Sequence, residues 1–175
     1  MKSTIEDLKT RRSIKKYNEK AVSEDDLNLI LEAGMNAPTG KGAQSPIMVV
    51  VQNPDDLATL ERLNSVVVGG NPETRNFYGA KTVVVVLADK SIPTYVYDGA
   101  LVMGNLMNAA HSLGIGSCWI HRAKETFETV EGKALLDKWG IKGDYEGIGN
   151  CLLGYFDIDF PAAKPRKENW VYRVK

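Results

Sequence analysis

Four cations crowd one short stretch of this chain: Arg11, Arg12, Lys15 and Lys16 flank Ser13 and Ile14, and Tyr17 closes the run. Arginine and lysine bind phosphate oxygens through charge-assisted hydrogen bonds, and a serine hydroxyl adds a neutral donor. If the run is extended, Arg11, Ser13 and Lys15 point to one side and Arg12 and Lys16 to the other, because side chains alternate along a strand. One side then serves a ligand while the other meets solvent. The plain alternative is a solvated basic turn. A second basic pair, Lys164 and Arg166, lies near the far end of the chain. Cations at both ends suggest an anion held between them, and a phosphate monoester with about two negative charges suits them.

Other stretches invite chemistry and most decline it. The segment Ala37-Pro38-Thr39-Gly40-Lys41-Gly42-Ala43-Gln44 contains Gly-Lys-Gly, but it is no Walker loop. That loop needs glycine where Met35 stands and Ser or Thr where Gly42 stands, and it follows a strand rather than a helix. What remains is an ordinary loop, or one whose backbone and Thr39 hydroxyl approach a ligand. Gly114-Ile115-Gly116 follows a helix and lacks a third glycine at the right offset, so a dinucleotide fingerprint is rejected. His111 sits on an apolar helix as a hydrogen-bonded core residue, whereas His121 stands at a strand end, open to either a structural or a ligand-contacting role. Cys118 and Cys151 lie in apolar segments without an activating base and read as core thiols. No Ser-His-Asp, HExxH, paired-carboxylate or metal-ligand spacing emerges. An anion site without protein-based catalytic groups points to a cofactor that supplies the chemistry.

The elements that must carry these residues follow from periodicity. Ser3-Thr4-Ile5-Glu6 reads as a capping box opening a short helix with Ile5 and Leu8 inward. Ser23–Ala33 is a second helix with Leu27, Ile30 and Leu31 at helical spacing, closed by Gly34 in a left-handed conformation. Ile47–Val51 is a strand, Asn53-Pro54 opens a helix carrying Leu57, Leu60 and Leu63, and Val66–Tyr78 is a polar connection. The β-branched run Thr82–Ala88 reads as a strand buried on both faces. Asp98–Leu113 is a helix apolar nearly all round, hence interior or interfacial. A strand Ser117–Ile120, a helix Thr126–Trp139 with Phe127, Val130, Ala134 and Leu135 inward, and a strand Ile148–Tyr155 complete the core. On alternation alone the pattern suggests a parallel doubly wound sheet. The last twenty residues, Phe156–Lys175, have no core of their own and must lie on something, a neighbouring subunit being the natural candidate.

Composition bounds the class. The chain has 175 residues, 43% apolar and 25% charged, enough for one domain with a sizeable core. Lys plus Arg and Asp plus Glu number 22 each, so there is no basic field for nucleic acid. The longest aliphatic run, Val83–Ala88, has six residues, far short of a membrane span. With no signal-peptide core and no disulfide framework, the expectation is a cytoplasmic protein.

Taken together, the motifs resemble the nitroreductase family over nearly the whole chain, from Ile5 to Trp170. Arg11-Arg12-Ser13-Ile14-Lys15-Lys16-Tyr17 is similar to its N-terminal RRSxR/K motif, and Ala37-Pro38-Thr39-Gly40 with Gln44 to its AP(S/T)xxNxQPW loop. Phe77-Tyr78-Gly79-Ala80 before a valine-rich strand, the stretch Asn105–Ile120, and Lys164-Pro165-Arg166 complete five motifs in order. Gly42 stands where the family often has Asn, and Ser45-Pro46 where it often has Pro-Trp. The resemblance implies an α+β fold with three layers, a central mixed and mainly antiparallel sheet flanked by helices, in an intertwined homodimer. Residues 1–155 would form the core, and 156–175 an extension crossing to the partner. It implies FMN at the interface, with Arg11, Ser13, Lys164 and Arg166 at the phosphate, Lys15 near the pyrimidine edge, and Arg12 among the cofactor-binding residues. Pro38, Thr39, Gly40 and Gln44 would approach from the partner, and Cys118, Trp119, Ile120 and His121 would bring backbone near the reactive ring nitrogen. One residue of Thr74–Asn76 would meet the flavin edge. The implied activity is hydride transfer from NADH or NADPH through FMN to a nitroaromatic, quinone or similar acceptor, in ping-pong order. Alternatives are a flavin-binding sensor or carrier with little turnover, and a family member with another electron donor. The chain is short for the family and lacks its long helical insertion, which implies a more open pocket.

Overall fold

The computed structural model describes residues 4–175; Ser3, and with it the capping box, lies outside the described residues. The ten main elements are α1 (Thr4–Thr10), α2 (Glu24–Met35), β1 (Pro46–Val51), α3 (Pro54–Val67), β2 (Thr82–Asp89), α4 (Tyr95–Ser112), β3 (Gly116–Ile120), α5 (Ala123–Glu128), α6 (Val130–Lys138) and β4 (Tyr145–Gly154). The sheet order is β1-β2-β4-β3, and each neighbouring pair is antiparallel. A single parallel bridge, Ser13 to Ser117, adds the cationic segment to the outer edge of β3. The architecture is α+β, with a mainly antiparallel sheet between helical layers.

The parallel sheet suggested by alternation does not form, and the connections explain why. A single helix returns the chain to the end where the preceding strand began, which yields parallel neighbours. After α3, however, the chain doubles back along that helix: Ser65 Oγ donates to the Thr74 carbonyl at 3.0 Å and the Phe77 N–H to Glu61 at 2.6 Å. β2 therefore enters beside Val51, the last residue of β1. Between β3 and β4 the expected helix Thr126–Trp139 is two helices, α5 and α6, broken at Thr129 in an extended conformation. One leads away and the other returns, so β4 starts at the end where β3 finished. Thr129 caps α6, its hydroxyl accepting from the Gly132 N–H. The break also turns Val130 outward and exposes Ala134, both expected inward, while Phe127 and Leu135 are buried.

Two cores lie on opposite faces of the sheet. Val83, Val85, Leu87 and Leu152 pack under Leu60 and Leu63 of α3, Phe127 of α5 and Leu135 of α6. Val84, Val86, Cys151 and Leu153 pack against Leu27 and Ile30 of α2 and Met103 and Leu106 of α4. β2 is buried from Thr82 to Ala88, as its unbroken apolar run requires. Gly34 does not close α2, which continues to Met35. A Cβ at Gly34 would sit 2.8 Å from Met48 Sδ and 2.9 Å from Leu106 Cδ2, so its role is close packing. Ile5 and Leu8 of α1, expected inward, are exposed, and Asp7 is buried instead. Residues 156–175 carry no helix or strand, and Trp170, Val171, Tyr172 and Val174 are exposed. No helix among the described residues is long and apolar enough to cross a membrane.

Candidate anion and cofactor site

The cationic run is extended as its alternation suggests. Ile14 is fully buried, its N–H bonded to the Ser117 carbonyl at 3.0 Å, while Ser13 and Lys15 on either side are exposed. Gly116 makes room for this approach, since a Cβ there would meet Ile14 Cβ at 3.0 Å. Arg11 is half-buried, and its Nη1 is buried with no hydrogen-bond partner. Arg12 turns back on α1, its Nη1 donating to the carbonyls of Lys9 (2.9 Å) and Arg11 (2.7 Å), while its Nε is buried without a partner. Lys15 Nζ stands 5.9 Å from the Tyr78 ring centre. Cys118 lies beneath this cluster. Burial pushes its thiol up, opposed by the Ser13 hydroxyl and the Lys15 and Arg11 charges. Cys151, wholly buried on the opposite face, is pushed up to about 12. Neither thiol is poised as a nucleophile.

β3 carries the other predicted residues away from the cations. Trp119 and Ile120 are half-buried, Trp119 against Gly149, and His121 is exposed just past the strand. The His121 carbonyl accepts from Asn64 Nδ2 at 2.7 Å, and Asn64 Oδ1 accepts from Asn76 Nδ2 at 2.9 Å. Asn76 Oδ1 is buried without a partner. His111 is buried on α4, bonded to Thr10 Oγ1 at 2.9 Å, its ring tilted against that of Phe160, which is the core role expected of it.

The loop at Pro38, Thr39, Gly40 and Gln44 is held by Asp98, a buried carboxylate in the first turn of α4. Asp98 accepts from the Gly40 N–H at 2.9 Å, Ser45 Oγ at 2.9 Å and Thr94 Oγ1 at 3.0 Å. Burial alone would raise its pKa, but these donors hold it below the usual carboxylate value. Lys41, Gly42 and Gln44 all adopt positive φ, so the loop is strained into shape around this anchor. Thr39 and Gln44 line a cavity of about 390 Å³ with Met35, Ile47, Met48 and Val102.

One chain does not bring all these parts together. Thr10, next to the cations, is tied to His111, while the loop is tied to Asp98. Thirteen residues of one helix separate those anchors, which is about 20 Å at 1.5 Å per residue. Lys164 and Arg166 are exposed on the tail.

Comparison with known proteins bears on this arrangement. The sequence model of the nitroreductase family matches residues 8–76, which include both the cationic run and the loop. A protein of Archaeoglobus fulgidus, provisionally named an NADH dehydrogenase/NAD(P)H nitroreductase, is 30% identical over 162 residues, 89% of this chain and 86% of that one. The chain belongs to the nitroreductase family. A Methanothermobacter thermautotrophicus relative with the same provisional name is 32% identical over 119 residues, 66% of this chain but only 59% of its own length. Among solved structures, a Bacteroides fragilis nitroreductase with bound FMN superposes with a TM-score of 0.88 at 31% identity, covering 100% of both chains. Within this nitroreductase frame the sequence reading missed Asn64, Asn76 and Asp98. Asn64 occupies an ordinary helix position, and Asp98 was read only as a helix start. Asn76 fell within the Thr74–Asn76 stretch, where no residue was singled out.

Proposed function

We propose that this chain binds FMN and acts as an NAD(P)H-dependent oxidoreductase, passing electrons in ping-pong order to a nitroaromatic, quinone or similar small acceptor. The observation that carries the reading is Arg11: a buried guanidinium nitrogen without an acceptor, on a segment clamped to β3. Leaving such a donor unmatched is costly, and a phosphate ester oxygen is the partner its geometry and charge suit. Membership of the nitroreductase family and an FMN-bound relative at 31% identity support the cofactor.

Bound FMN supplies two-electron redox chemistry that the side chains of this site do not provide. In this reading Arg11 and Ser13 hold the phosphate beside Ser117, with Lys164 and Arg166 adding charge once the tail is seated. Lys15 places a cation near the pyrimidine edge, and the Asn76 Oδ1, an acceptor without a donor, is suited to a ring N–H. Cys118, Trp119, Ile120 and His121 line the strand that the ring follows. Pro38, Thr39, Gly40 and Gln44 complete the site of a second copy, because the 20 Å or so between the two helix anchors separates them from their own cations. The working unit is accordingly a homodimer, with 156–175 reaching across, and its location is the cytoplasm.

The visible spectrum of purified protein, before and after anaerobic NADH or NADPH, tests this. A flavin spectrum that bleaches supports the oxidoreductase. A flavin reduced by dithionite but by neither nicotinamide points to a low-turnover sensor or another donor. Protein that neither carries nor takes up FMN overturns the reading.

A further inference from the structure

Asn64 does something the cation cluster and the loop do not explain. It is 2% exposed, yet both ends of its side-chain amide are engaged, one on the His121 carbonyl and one on Asn76. It therefore links two segments far apart in sequence: the end of β3 and the connection before β2. The carbonyl it grips belongs to the peptide joining His121 to Arg122. A trans peptide is planar, so holding the carbonyl inward toward α3 drives the Arg122 N–H outward. Neither the His121 N–H nor the Arg122 N–H donates to an acceptor among the described residues. Arg122 has φ 76° and ψ 16°, a left-handed conformation that a long side chain keeps only when its surroundings hold it there. Its carbonyl is held too, accepting from the Thr126 N–H at 3.0 Å. The strand end thus turns the unpaired Arg122 N–H outward, on a peptide locked from behind.

Ser117 and His121 are four residues apart, about 13 Å along an extended strand. A phosphate beside Ser117 leaves a ribityl chain and its ring lying toward that end. Fixed backbone dipoles aimed at a group that gains electron density stabilise it without reorganisation. A flipped peptide would present the carbonyl instead and oppose the same charge.

We propose that Asn64 is a positioning residue that locks the His121–Arg122 peptide with its N–H outward, so that the strand end favours the electron-rich reduced form of the flavin. This rests on the FMN reading above.

The test is the midpoint potential of bound FMN in the wild type, Asn64→Leu, Asn64→Ser and Leu60→Ala. Leu60 lies one turn earlier on α3, is fully buried and packs in the core, so its truncation weakens the same helix without touching His121. A tenfold loss in the reduction equilibrium lowers a two-electron potential by about 30 mV. We expect at least that fall in both Asn64 variants and an unchanged value in Leu60→Ala. Asn64→Ser keeps a small polar side chain that does not reach the His121 carbonyl, so it reads the same effect if Asn64→Leu fails to fold. An unchanged potential in a folded Asn64 variant, or an equal fall in Leu60→Ala, overturns the assignment. Wild-type protein that takes up no FMN removes the underlying reading instead, and is seen before any variant is made.

Discussion

At the scale of single residues, Arg11 and Asp98 carry opposite kinds of information. Arg11 is a donor lacking an acceptor, while Asp98 is an acceptor fully supplied with donors. Replacing Arg11 with Ala should weaken FMN binding by roughly 1.5–3 kcal/mol, the worth of a charged hydrogen bond. Flavin fluorescence titration measures it, and an affinity equal to wild type would dissociate Arg11 from the phosphate. The double variant Lys164→Ala with Arg166→Ala should lose a similar amount per contact. Asp98 makes a pH prediction. Its carboxyl titrates lower in the fold than in the unfolded chain, so its stabilisation is complete above the unfolded value of about 3.9 and is lost as pH falls through the lower, folded value. Asp98→Asn should flatten the acid limb of thermal stability and lower the plateau above it by about 1–3 kcal/mol, since an NH2 that cannot accept replaces one of the two oxygens its donors use. Calorimetry across that range reads both effects. Arg11 was legible in sequence because four cations around a serine are unusual. Asp98 was not, because a lone acid at a helix start looks like an ordinary first-turn residue until Gly40 and Ser45 are seen folded onto it.

Among elements, short-range signals were legible and element ends were not. Asn53 caps α3 and Ser23 caps α2 through their own side chains, so both helices begin where local chemistry directs. Gly34 shows the limit. Its residue type suits a helix end, but the contacts with Met48 and Leu106 give it an interior position. Gly34→Ala should cost roughly 1–3 kcal/mol through overpacking, readable by urea denaturation, although alanine has the higher helix propensity. A neutral or stabilising result would mean that α2 and α4 yield more easily than their contact implies. Thr129 is the complementary case: a β-branched residue within an apparently continuous helical pattern, whose capping bond to Gly132 starts a new helix. That bond competes with helix continuation locally, and the choice is made by the return of the chain to β4.

For the whole molecule, the proposed cofactor site is one that a second copy would complete. Cations and loop sit at opposite ends of α4, and exposed Ile5, Leu8, Leu101 and Tyr97 lie on α1 and α4. The tail bears exposed Trp170 and Tyr172. Truncation before Phe156 should therefore reduce both dimer stability and FMN affinity in sedimentation and flavin-binding measurements. A truncated chain that dimerises and binds flavin as tightly as the full one would leave the tail without this role. What the sequence determined alone was local: the cation cluster, the caps of α2 and α3 and the doubly buried β2, all set by neighbours within a few positions. What only the tertiary structure decided was direction and adjacency. The antiparallel sheet depends on where the chain doubles back after α3 and breaks at Thr129. The Asn64 and Asp98 contacts join residues 57 and 58 positions from their partners. Such pairings are set by packing across the sheet and the helices, which local sequence periodicity does not encode.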